Sequence, residues 1–63
     1  MWIRIFNGNS QEPPMWWGIE NHDGEWVVEE SYDCGKSWIC NDVFSTVELA
    51  MDFVDFWIAR ESL

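Results

Sequence analysis

Hydrophobic and polar residues alternate with period two through four short runs and then switch to a helical period, so the pattern predicts strands followed by one helix. The runs are Trp2–Phe6, Met15–Asn21, Glu25–Tyr32 and Ser37–Asn41, with Asn7 to Pro14 reading as a loop. Asp23-Gly24 is a hairpin signal, because a type I′ turn needs positive φ at both central residues. That turn sets a register in which Glu20 faces Val27, Ile19 faces Val28, Gly18 faces Glu29 and Trp17 faces Glu30. One face then carries Trp17, Ile19, Trp26 and Val28, and the other Trp16, Gly18, Glu20, Val27 and Glu29. A second turn centred on Cys34-Gly35 places Ile39 beside Glu30 on the first face, and Trp38 and Cys40 on the second. The first face, with Ile39, is the expected core. The same geometry separates Cys34 from Cys40 by about four positions along the pleat, roughly 13 Å. A disulfide needs Cα atoms within about 7 Å, so two free thiols are expected.

The helix is predicted from about Thr46 to about Arg60. Ser45-Thr46-Val47-Glu48 fits a capping box, with Phe44 and Leu49 as its hydrophobic staple. Ala50, Phe53, Val54 and Trp57 recur at i, i+3, i+4 and i+7, a stripe that packs on a sheet, and Val47, Met51 and Ile58 widen it. Glu48, Asp52 and Asp55 form an acidic row on the remaining face with no lysine paired to it. The expected fold is α+β: an antiparallel sheet of three or four strands with one C-terminal helix packed on one face, as a single domain over residues 1–63.

Size makes the aromatic content matter. A chain this short buries only about 60% of the surface its unfolded form exposes. Six Trp, four Phe and one Tyr are therefore what gives it a usable core and excludes disorder. Charge then narrows the partners: twelve Asp and Glu against Arg4, Lys36 and Arg60 give −9. Nucleic acids and anionic membranes are bound through cations, so neither is an expected direct ligand. A basic protein surface is the expected partner, the plainer alternative being that the charge keeps a Trp-rich protein soluble. With no basic leader pattern at Met1–Arg4 and no apolar run of membrane length, the expected compartment is the cytosol.

Catalytic chemistry finds little footing. The only histidine, His22, sits beside the Asp23-Gly24 turn, remote in this topology from Cys34 and Cys40, so the expectation is a protein that is not an enzyme and needs no cofactor. Glu20, His22, Asp23 and Glu25 bracket one turn but match neither a calcium loop nor a zinc motif, and no metal is expected there. The second face of the sheet is more informative. Glu20 and Glu29 are diagonal neighbours, a like-charge pair flanked by Trp16 and Trp38, which lie on either side of Ser31. Tryptophan anchors beside steering carboxylates make an interface pattern. Carboxylates two apart on a strand or four apart on a helix also repeat every ~6–7 Å, of the order of phosphate spacing along nucleic acid. Glu20, Glu25, Glu29, Glu30 and Asp33 from the sheet and its turns, Glu48, Asp52 and Asp55 from the helix, and Trp16 and Trp38 are thus the candidate partner-binding residues.

Phe44-Ser45-Thr46-Val47-Glu48-Leu49-Ala50 resembles the strand-to-helix junction of small βββα domains, including the arm-type DNA-binding domain of phage integrases. Those domains present basic side chains from the sheet, where this chain has Glu20, Glu29 and Trp16. Over its whole length, in size and charge, the chain is similar to small acidic phage anti-CRISPR proteins. That resemblance implies a non-enzymatic inhibitor in the host bacterial cytoplasm, whose acidic surface covers the DNA- or PAM-binding surface of a CRISPR effector such as a Cascade complex. A monomer is the expected state. The alternative is a small interaction or structural module, self-associating through Trp16 and Trp38.

Overall fold

The computed structural model describes residues 1–6 and 14–61. The loop expected from Asn7 therefore lies, up to residue 13, outside the described residues. Strands β1 (Trp2–Phe6), β2 (Met15–His22), β3 (Glu25–Ser31) and β4 (Ile39–Phe44) form one antiparallel sheet in sequence order, followed by helix α1 (Val47–Glu61). Asp23 and Gly24 take φ of 53° and 87°, the left-handed values a two-residue hairpin turn requires, and the Asn21 Oδ1 accepts the Gly24 N–H at 3.2 Å. The β2/β3 register is the expected one, with Gly18 opposite Glu29 and Trp17 opposite Glu30.

The second turn also forms, with Cys34 and Gly35 at φ of 60° and 83°. Ile39 pairs with Glu30 and Cys40 with Glu29, as predicted; beyond them a β-bulge shifts the register, so that Val28 faces Asp42 and Trp26 faces Phe44. The bulge leaves Asn41 outside the pairing and lets β4 run to Phe44 rather than stop at Asn41. Ile39 does lie on the helix side, opposite Glu30 at the start of edge strand β4, but it is 61% exposed and contributes little to the core. Cys34 and Cys40 are unbridged and exposed.

Helix α1 begins one residue later than the expected box. The Thr46 Oγ1 accepts the Leu49 N–H at 3.2 Å, which makes Thr46 the N-cap and puts Leu49, not Glu48, at the third helical position. The staple changes with it: Leu49 is 49% exposed, and Phe44 packs on Phe53 with ring centroids 5.2 Å apart. The longer β4 explains the shift, since pairing with Trp26 holds Phe44 in the sheet and leaves Ser45-Thr46 as the connection. Met15, Trp17, Ile19 and Val28 from the sheet and Ala50 and Val54 from the helix form the buried core, with Phe53, Trp57, Met51 and Ile58 packed around it. Trp17 meets Phe53 edge-on at 6.3 Å, an arrangement worth about 0.5–1.5 kcal/mol beyond burial alone. The molecule measures 36 × 26 × 15 Å, so it has the thickness of one sheet and one helix. On the sheet's second face the 32–38 turn and the Trp38 ring cover Trp16, Gly18 and Ser31, while among the described residues no helix or strand packs over the rest.

Candidate functional site

The second face can be read row by row from the strand register. Ile5, Trp16 and Ser31 lie across the first row, and Ile3, Gly18, Glu29 and Cys40 across the next. Glu20, Val27 and Val43 follow, and His22 and Glu25 close the hairpin end. Apolar groups thus concentrate toward β1, where Ile3 and Ile5 are about half exposed, and acidic groups toward the β2/β3 turn.

Two glycines shape the apolar end. A Cβ on Gly18 would stand 2.9 Å from the Trp38 ring and 3.1 Å from the Met1 sulfur, so the absence of a side chain is what lets the Trp38 ring approach the β2 backbone. A Cβ on Gly35 would stand 2.7 Å from the Trp16 ring, with Trp38 also within reach. The 32–38 turn therefore folds back against both indoles, which are half-buried rather than freely displayed. The Trp16 Nε1 is buried with no acceptor among the described residues. Beneath the pair, buried Ser31 donates its hydroxyl to Asp33 at 2.8 Å and accepts the Gly35 N–H at 2.8 Å.

The acidic end holds Glu20, His22 and Glu29, whose ligand atoms all lie within 4.8 Å of one another. His22 Nε2 is 3.4 Å from the Glu20 carboxylate, and both side chains are about half exposed. Sequence spacing alone grouped His22 with Glu20, Asp23 and Glu25; the cross-strand diagonal brings in Glu29 instead. Two carboxylates and an imidazole at this separation could share one divalent cation, with its remaining positions open to water. By register Cys40 sits opposite Glu29, and Cys34 lies in the 32–38 turn at the other end of the sheet from His22.

The remaining predicted residues are dispersed. Glu30 points to the helix side, where it accepts hydrogen bonds from the Tyr32 hydroxyl and the Asn41 amide. The hydrogen bond to Glu30, helped by burial and by the negative charge of Glu30 and Glu61, pushes the Tyr32 phenol up to about 12. Asp33 is absorbed by its own turn: it accepts from the Ser31 hydroxyl, from the Ser37 N–H at 2.9 Å and from the Ser37 hydroxyl at 2.5 Å. Those bonds, the Ser37 hydroxyl first, hold its carboxyl down at about 2. Glu48, Asp52 and Asp55 are exposed on the helix, on the opposite layer from Glu20 and Glu29. Asp55 is ion-paired with Arg4 of β1, so the helix row lacks one of its three free charges.

Sequence reasoning missed one feature on the helix side. A pocket of about 160 Å³ opens between the end of α1 and the β2/β3/β4 strands, lined by Met15, Trp17, Glu30, Tyr32, Asn41, Trp57 and Glu61. Asn41 reaches this wall through the β4 bulge, which no local signal announces. No helix among the described residues is long and apolar enough to cross a membrane. No protein-family model matches the chain, and neither does any curated protein or solved structure compared with it.

Proposed function

We propose that the protein is a non-enzymatic, phage-type inhibitor of the anti-CRISPR kind, which docks its open sheet face on the basic DNA- or PAM-binding surface of a CRISPR effector complex in the bacterial cytoplasm. The observation that carries this reading is the acidic, solvent-open hairpin end of the sheet's second face beside its packed indoles. Trp16 and Trp38 give it a rigid apolar floor, while Glu20, Glu25 and Glu29 supply negative charge with no lysine or arginine paired to them among the described residues. Across Glu20 and Glu29 the like charges cost the isolated fold a few tenths of a kcal/mol, a cost that a cationic partner would reverse. Glu48 and Asp52 lie on the other layer and act at long range, speeding encounter rather than making contact.

The test is a DNA-binding competition with purified effector complexes. Glu20→Lys together with Glu29→Lys should abolish inhibition, whereas Glu48→Lys with Asp52→Lys should slow association and leave the bound complex intact. Inhibition that survives reversal on the sheet face would remove the proposed contact surface. A second reading, a self-associating interaction module, is favoured by the exposed Met1, Ile3 and Ile5 beside Trp16. Sedimentation of the free protein at low ionic strength separates the two, because the inhibitor reading requires this face to be vacant there.

A further inference from the structure

The helix-side pocket has a composition unlike the open face. Three aromatic residues, Trp17, Tyr32 and Trp57, share its wall with two carboxylates, Glu30 and Glu61. Aromatic faces carry negative quadrupole charge and attract cations, most strongly where water is partly excluded. Glu30 is fixed in place by the Tyr32 hydroxyl and the Asn41 amide, so its charge is pre-oriented rather than free to swing into solvent. Trp57 already draws one cation: the Arg60 guanidinium stands over its ring at 5.8 Å from the centroid. The pocket also lies at the C-terminal end of α1, where the helix dipole adds partial negative charge. No lysine or arginine is among its lining residues. At about 160 Å³ it is smaller than the pockets of ~300 Å³ and more that enclose drug-sized molecules, and near the ~150 Å³ that holds a single benzene ring.

We infer that this pocket is a binding site for an alkylammonium head group, held between the rings of Trp57, Trp17 and Tyr32 and neutralised by Glu30 and Glu61. The site stands on the layer opposite the proposed partner face and is independent of that proposal. Its ligand is either a small free quaternary ammonium compound or the side chain of a lysine on another protein; the recognition chemistry is the same.

The experiment titrates the full chain with choline and with n-butylammonium, each beside its uncharged isostere in which carbon replaces nitrogen, at ionic strength matched with sodium chloride. Nuclear magnetic resonance follows the indole N–H groups. Saturable shifts are expected at Trp17 and Trp57, with at least one cation binding about tenfold or more tighter than its isostere. Trp57→Ala should abolish the response. Glu61→Gln, at an exposed position that leaves the aromatic wall in place, should weaken it several-fold, so the site remains testable if the tryptophan variant unfolds. Tighter choline binding identifies a free or methylated ammonium as the ligand, and tighter butylammonium binding identifies an unmodified lysine. Isosteres that bind as well as the cations, or shifts that spread over all six tryptophans without saturating, overturn the proposal.

Discussion

Asp33 organises more of the molecule than its half-buried, turn-borne position implies. Its carboxylate takes hydrogen bonds from Ser31 and from both the N–H and hydroxyl of Ser37, and its carbonyl accepts the Lys36 N–H at 3.4 Å, so one residue closes the turn that positions Trp38. Because its carboxyl is held at about 2, below the ordinary 3.8, the stability it contributes is present above pH 3.8 and is lost as pH falls toward 2. Asp33→Asn should therefore lower the urea midpoint at neutral pH, and the gap between variant and parent should close across that acid window; a gap constant with pH would mean the charge is irrelevant. Gly35 is the second residue on which the turn depends. At φ of 83° a side chain is strained by about 1–2 kcal/mol, and its Cβ would run into the Trp16 ring as well. Gly35→Ala should lose at least that much by chemical denaturation and shift the Trp16 indole resonance, whereas Gly24→Ala, with φ of 87° but open space around it, should show the backbone cost alone.

Between β4 and α1 the cap decides where the helix starts. Thr46→Ala should cost about 1 kcal/mol, as N-cap removals typically do, while Ser45→Ala should cost little. The reverse ranking in denaturation midpoints would restore the capping box that the local sequence suggests. That error is instructive, because Ser45-Thr46-Val47-Glu48 satisfies the box on local grounds and is overridden by a long-range event, the pairing of Phe44 with Trp26. Elsewhere local signals sufficed: Asp23-Gly24 and Cys34-Gly35 each dictated a turn, and period-two spacing then set which of Trp16 and Trp17 faces the helix. The open face was legible for the same reason. What was not legible depended on contacts no period reveals, namely the Asn41 bulge, the Arg4–Asp55 pair that joins β1 to α1, and the pocket closed by Trp57 and Glu61.

For the whole molecule, two opposing forces act on the same face. A slab 15 Å thick cannot bury both sides of its sheet, so Met1, Ile3, Ile5 and Val43 stay 42–57% exposed beside the half-buried Trp16 and Trp38. Apolar surface of this kind favours association with another copy. A net charge of −9 opposes it, since two copies meeting face to face would bring Glu20, Glu25 and Glu29 of each together. At low ionic strength repulsion should win and the protein should sediment as a monomer. Near 1 M salt the screening length falls to about 3 Å, the repulsion fades while the apolar attraction remains, and a dimer should accumulate. Binding to a basic partner has the opposite salt dependence, because there the same carboxylates attract. Ile5→Lys should suppress the salt-induced dimer, and a monomer at every salt concentration, or a dimer indifferent to Ile5, would show that the open face is not the surface on which these two forces compete.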